Sequence, residues 1–381
     1  MFKKLIFPLW VLVALGLFFY SFTQVDLSLT LSRASFLQDF QKAFQYVGWF
    51  NRPLSTYLYI ALLIIAFTLY RYTLSLINKK QLERKLVIKT IVVVGAVLFL
   101  SYCAFSYDLF NYIFDAKIIT HYHQNPYFHK ALDYAGDPML SFMRWTHRTY
   151  PYGPFWLVLT VPLSYVGFGI FVFTFYLFKL LMFATFIGSV LVIERIAKKL
   201  NFDPIYAMAA FALNPLVLIE SLVSAHNDIV MLFFGLLSLL LFVEGKYVKS
   251  AIWLTVSILI KFATALMIPA LAIRKFKKIK DEQFIYLIVL FMIAAVIFAT
   301  ISTQFQPWYL LYVLPFTAFI QKKYFVAIPV ILISLAGLLQ YIPYLYTGNW
   351  DPPIPLILNS IMVGSIVLSL ISIGIFKSLK K

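Results

Sequence analysis

Acidic residues are scarce in this chain. Asp and Glu number 15 against 32 Lys and Arg, which leaves a net charge of +17 on 381 residues. Charged residues of both signs make up only 12% of the sequence, against 62% hydrophobic residues. That balance excludes a soluble domain, because a chain of this length cannot bury so much apolar surface. One cysteine, Cys103, lies inside an apolar run, so an intramolecular disulfide is excluded. The long apolar runs do not alternate at period two, which excludes a membrane β-barrel. Neither a Gly-rich phosphate loop nor an HExxH pattern occurs, so no nucleotide or zinc cofactor is expected. The amino-terminal MFKKLIFPLWVLVALGLFFYSF lacks a small-residue cleavage site and reads as a retained first helix.

What the chain has is apolar runs near membrane-crossing length. They fall at about 5–22, 54–77, 87–105, 170–193, 205–222, 228–244, 247–260, 262–273, 284–302, 308–320, 324–341 and 354–376. Basic clusters begin at 3, 78, 194, 245, 274, 321 and 377. All seven face the cytoplasm if both termini are inside and the chain crosses twelve times. The basic excess therefore marks membrane topology, and no nucleic-acid partner is expected. The short run at 153–167 reads as a re-entrant or interfacial helix opened by Pro154. Residues 247–273 must go out and return between two basic clusters, which predicts two short helices meeting near Lys261. The expected fold is an all-α polytopic membrane protein with about 12 transmembrane helices, in one domain over 1–381. Residues 1–80 form its first helices, and 106–169 form one long extracytoplasmic loop carrying interfacial helices.

That topology puts all five histidines on the outer face, with Asp108, Asp115, Asp133, Asp137 and Asp228. Asp108, just past a crossing, either caps the next helix or accepts a proton from an attacking hydroxyl. Asp115 lies two helical turns on, on the same helix face. His147 and Arg148, in THRTYPYGP, either bind a phosphate headgroup or anchor the interface with Tyr150 and Tyr152. In NPLVLIESLVSAHND, Asn227 or Asp228 suits an N-cap, whereas Glu220 and His226 are costly to leave unpaired at membrane depth. Lys179 and Lys261 sit inside apolar runs on the outer half; each either snorkels or meets an anionic headgroup. Lys261 has no carboxylate within one turn in sequence, so a lipid phosphate is its expected counter-ion. Trp308, after Gln306-Pro307, fits an aromatic belt or a substrate contact.

The order of these segments carries a resemblance. An early Asp108 is followed by NPY, YPYGP, NPLVLIE with HND, a Lys in a short helical pair, and PWYLLYVLPF. Over about residues 86–320 this resembles the GT-C superfamily of integral-membrane glycosyltransferases. It is most similar to the bacterial polyprenyl-phosphate-mannose-dependent mannosyltransferases. The resemblance implies Asp108 as catalytic base. That aspartate usually follows the first crossing, whereas three crossings precede it here. It implies a polyprenyl-phosphate sugar as donor, a hexose with mannose foremost, and an extracytoplasmic glycan or glycolipid as acceptor. Transfer would invert the anomeric carbon. Lys261, Lys179, Arg148 and His147 are the candidates to hold the leaving phosphate. Asp115, Glu220, His226, Asp228 and Trp308 complete the expected substrate site. No metal ligands are assigned, and a divalent ion is left open. The expected location is the bacterial plasma membrane, with the site facing outward. The rival class is a transporter or flippase for a lipid-linked or anionic substrate. Against it, the halves show no internal repeat, and the polar groups gather in a loop instead of at mid-bilayer.

Overall fold

The computed structural model describes residues 5–379. Lys3, Lys4, Lys380 and Lys381, parts of the terminal basic clusters, lie outside the described residues. Among the described residues the fold is helical, with no strand beyond an isolated bridge between Lys130 and Thr149. The α-helices run α1 Ile6–Thr23, α2 Ser35–Gln45, α3 Arg52–Asn78, α4 Arg84–Phe99, α5 Asp108–Thr120, α6 Pro154–Val166, α7 Phe171–Lys199, α8 Pro204–Ala212 and α9 Pro215–Leu218. They continue with α10 Asp228–Val243, α11 Tyr247–Ile258, α12 Ile268–Phe276, α13 Asp281–Thr303, α14 Leu314–Thr317, α15 Tyr324–Leu339, α16 Ile342–Thr347 and α17 Ile354–Ser378.

The sequence predicts about twelve transmembrane helices. Among the described residues, six helices are long and apolar enough to cross a membrane, or up to seven if one bent pair is a single span. The other runs fall short for different reasons: α4 and α10 are continuous but only 16 residues long, the pair around Lys261 is short, and the remaining two runs are broken at prolines. Residues 205–222 split at Asn214-Pro215, where α8 meets the segment Pro215–Val223 at 58°. Proline forces its predecessor out of the helical region, and the Asn214 side chain then caps α9 by accepting the Leu216 N–H at 2.9 Å. Residues 308–320 form a 3-10 turn, Pro307–Tyr312, and the single turn of α14 instead of a crossing helix. The pair expected around Lys261 is present as α11, then a 3-10 segment Phe262–Met267, then α12. Helix α2 escapes a search for apolar runs, because Phe36, Leu37, Phe40 and Phe44 alternate with polar residues at helical spacing. Phe36 and Phe40 are exposed, as an interfacial helix requires.

The first helices are keyed into the bundle by buried polar side chains. Trp10 Nε1 donates to Thr73 Oγ1 at 2.9 Å, and the hydroxyls of Tyr59 and Tyr70 donate to the carbonyls of Leu338 and Ala210. In a hydrocarbon setting, such bonds specify which helices meet.

Contacts gather the basic clusters at one end. Arg84 forms a bidentate pair with Glu194, which also meets Lys198. Lys322 pairs with Asp203, Lys323 with Glu282, and Arg274 with Asp281. Lys275 sits over the ring of Tyr247. The loop after α5 is folded by its own polar contacts. Lys117 and Tyr122 both donate to Asp137. Burial alone would raise the Asp137 carboxyl, but those bonds and the Met139 N–H outweigh it and hold it below its ordinary value. NPY and YPYGP pack on each other: the Tyr150 N–H donates to the Pro126 carbonyl, and the Tyr127 hydroxyl to the Tyr152 carbonyl.

Candidate active site

Asp108 is the first residue of α5, where the exposed N–H groups of the first turn favour a carboxylate. Its own N–H donates to Ser106 Oγ at 3.1 Å. The Asp108 side chain is 16% exposed, so it keeps a face open while its other side turns inward. On the inner side, Asp108 Oδ2 lies 3.5 Å from His226 Nδ1.

His226 is fully buried, and its Nε2 lies 3.3 Å from Glu220 Oε2, also fully buried. Glu220 Oε1 accepts a hydrogen bond from the Tyr341 hydroxyl at 2.9 Å. The imidazole stacks on the indole of Trp308, with centroids 4.0 Å apart and planes at 22°. Burial alone would lower the His226 pKa, but the flanking carboxylates of Asp108 and Glu220 outweigh it and hold it up at about 9. The backbone explains how Glu220 and His226 meet. Ile219–Val223 is a π turn, and the His226 N–H closes back on the Glu220 carbonyl at 3.0 Å.

Two residues further on, Asp228 opens α10. Asn227 occupies the cap position, but its side chain makes no cap bond. Instead Asn227 Oδ1 accepts from the Tyr112 hydroxyl at 3.3 Å, which ties α10 to α5. The fully buried Asp228 accepts from Lys261 Nζ at 2.8 Å. Lys261 sits in extended backbone at the break between α11 and the 3-10 segment, and its amine lies 5.6 and 5.8 Å from the ring centres of Tyr309 and Tyr312. Its counter-ion thus comes from 33 residues away in the chain. The loop between α5 and α6 docks on the same break. The Gly153 N–H donates to the Ile260 carbonyl and the Phe155 N–H to the Leu259 carbonyl, at 3.1 and 2.9 Å. A Cβ on Gly153 would lie 2.2 Å from the Leu259 carbonyl oxygen, so YPYGP needs its glycine for this approach.

The structure therefore joins Asp108, Glu220, His226 and Trp308 in one contact chain, with Asp228 and Lys261 beside it. Asp115 follows Asp108 on α5. Removal from bulk water, with Asp108 as second cause, pushes the Asp115 carboxyl up to about 8, so it is mainly protonated at neutral pH. Lys179 is placed differently: it is buried, and its amine donates to Ser101 Oγ and to the carbonyls of Leu98, Leu222 and Val223. It caps the π turn that carries Glu220. His147 and Arg148 stay exposed on the loop between α5 and α6, where Arg148 lies over the Trp145 ring at 4.4 Å and His147 beside the same ring. No contact brings either to Asp108 or Lys261 among the described residues. Tyr341, Tyr112, Tyr309 and Tyr312 are site neighbours that sequence reasoning missed. Tyrosine is common in this chain, with 25 copies, so none carried a distinguishing signal. Among the described residues, no group of three or more His, Cys, Asp or Glu converges in a metal-holding arrangement.

Comparison with known proteins agrees with the resemblance. A family model described as alpha-(1->6)-mannopyranosyltransferase, N-terminal domain, matches residues 11–277. The alpha-(1->6)-mannopyranosyltransferase A of Mycobacterium tuberculosis is 31% identical over 187 residues, or 48% of this chain and 35% of that protein. The chain thus aligns with about a third of that relative's length. No solved structure matches. With the family model covering 267 consecutive residues that include Asp108, Glu220, His226, Asp228 and Lys261, the chain belongs to the alpha-(1->6)-mannopyranosyltransferase family.

Proposed function

We propose that the protein transfers a mannosyl residue from a polyprenyl-phosphate donor to a hydroxyl of an extracytoplasmic glycan or glycolipid. The observation that carries this reading is that Asp108 faces His226, two residues before the Asp228 that pairs with Lys261, so groups from three separate segments gather in one place. The acceptor hydroxyl gives its proton to Asp108, its oxygen bonds the anomeric carbon, and the bond to the lipid phosphate breaks with both electrons leaving on the phosphate. One displacement of this kind inverts the anomeric carbon through an oxocarbenium-like state. A hydroxyl is a weak nucleophile at neutral pH, and a partly exposed carboxylate at a helix start suits the role of base. The leaving phosphate needs positive charge more than a proton. Lys261, held beside two aromatic rings at a helix break, is a cation placed to offer it. By the positive-inside rule the ion-paired basic end faces the cytoplasm, so Asp108 and the loop 106–169 face outward at a plasma membrane.

The test uses the purified protein in nanodiscs with a synthetic polyprenyl-phosphate-mannose and a mannoside acceptor. Donor-dependent appearance of the elongated mannoside supports the reading. Donor hydrolysis alone, or transfer only from a nucleotide sugar, overturns it.

A further inference from the structure

We infer that His226 and Glu220 form a positioning pair for Asp108: they hold its carboxylate in line for the acceptor and do not themselves touch the sugar. The inference rests on the reading of Asp108 as proton acceptor. It parts from the expectation that His226 and Glu220 bind substrate.

Three observations carry it. First, both side chains are wholly buried, so neither presents an atom to a cavity, whereas Asp108 keeps 16% of its side chain exposed. Second, the contacts form a single line. Tyr341 donates to Glu220 Oε1 at 2.9 Å, Glu220 Oε2 faces His226 Nε2 at 3.3 Å, and His226 Nδ1 faces Asp108 Oδ2 at 3.5 Å. Neither approach has hydrogen-bond geometry, so the buried imidazole is held between the two carboxylates by charge, with one ring nitrogen facing each. Third, the ring plane is clamped by Trp308, whose indole stacks on it at 4.0 Å. With Oδ2 engaged by the imidazole, Oδ1 is the oxygen of Asp108 left to receive a proton. Other ionisable groups nearby have their own settings: Asp228 is bonded to Lys261, Lys179 to the carbonyls of the π turn that carries Glu220, and Arg144, over the ring of Tyr107, to Asp26, while Asp115 on α5 has its carboxyl raised by burial and then by Asp108. A carboxylate turned away from its productive angle by even a small displacement costs on the order of 10²-fold in rate.

The arrangement also sets the charge. His226 flanked by two carboxylates favours the imidazolium, and a cation stacked on an indole is further stabilised. Neutralising Glu220 must therefore make His226 easier to deprotonate, although Glu220 touches nothing that reacts.

The test pairs a spectroscopic measurement with kinetics, using the full chain in nanodiscs. With nitrogen-15 histidine labels, the buried His226 signal should stay doubly protonated well above neutral pH. In Glu220→Gln and in Asp108→Asn it should titrate earlier. In the transfer assay, Glu220→Gln should lower kcat about 10- to 100-fold with little change in either KM, and should move the alkaline limb of the rate profile to lower pH. His226→Asn, whose amide replaces Nδ1, should keep more activity than His226→Gln, whose amide replaces Nε2. An unshifted His226 titration in Glu220→Gln would overturn the pairing. A raised donor or acceptor KM with kcat unchanged would make these residues substrate contacts. Either failure is separate from failure of the base assignment, which Asp108→Asn alone reports.

Discussion

Lys261 Nζ lies 2.8 Å from Asp228 Oδ1, with the aspartate side chain fully buried and the lysine side chain 22% exposed. The two residues come from different helix ends, one opening α10 and one at the break after α11. This pair resolves how the chain tolerates a lysine at a helix break within an apolar run. It also makes a double role testable, since a buried carboxylate deprived of its cation is costly. Lys261→Met should destabilise the protein by about 3–5 kcal/mol, because Asp228 is left without its cation. Adding Asp228→Asn to Lys261→Met should recover most of that stability. Transfer should stay low in the double variant, because the phosphate still lacks its cation, and Lys261→Arg should keep part of the activity. Thermal unfolding and donor titration of the four proteins check this. Full transfer by the stable double variant would remove Lys261 from the phosphate site.

Asp108→Asn keeps the size of the side chain and removes the proton acceptor. Turnover should fall by about 10²–10⁴-fold. Donor binding and membrane insertion should be retained. Activity within a few-fold of wild type would move the base elsewhere, with Asp115 and Asp228 next to be examined.

Lys179 predicts a loss of a different kind. Its amine donates to the carbonyls of Leu98, Leu222 and Val223, the last two in the turn that carries Glu220. Lys179→Met should cost about 1–3 kcal/mol in stability for the groups left unpaired. Donor KM should remain near wild type. A large rise in donor KM with stability unchanged would instead place Lys179 on the substrate.

The imidazolium of His226 gives a pH dependence with a definite sign. Its pKa is raised from 6.5 to about 9 in the folded protein. A raised pKa means that the folded state holds the proton more tightly, so this contribution is complete below about 6.5. It is lost as pH rises through about 9. The melting temperature of wild type should therefore fall across that window more steeply than that of His226→Gln. Parallel curves would show that His226 is neutral in the fold.

Topology is open to labelling. Single cysteines at Asn125 and Lys280, in a Cys103→Ser background, should differ in their reaction with an impermeant thiol reagent applied from outside. Position 125 should label and position 280 should not. Outside labelling at position 280 would invert the orientation and place the site in the cytoplasm.

Composition and periodicity alone determined that this is a helical membrane protein. Hydrocarbon does not hydrogen-bond the backbone, so long apolar runs have few solutions other than helices. The break near Lys261 and the helix opened by Pro154 were also legible, because Pro and an isolated charge act locally. The order of motifs pointed to the family and to Asp108. Span number was not legible in the same way. The segments 205–222 and 308–320 are apolar enough to cross but are broken at Asn214-Pro215 and after Pro307, and hydropathy does not register a bend. Pairing was decided only in three dimensions. Lys261 and Lys179 look alike in sequence, each a lone lysine in a greasy run. One meets the carboxylate of Asp228 and the other meets backbone carbonyls, and partner identity depends on which helix ends the fold brings together. The same holds for the line from Asp108 through His226 to Glu220: Asp108 and His226 are 118 positions apart in the chain, and only the π turn and the tertiary fold put the three within reach of one another.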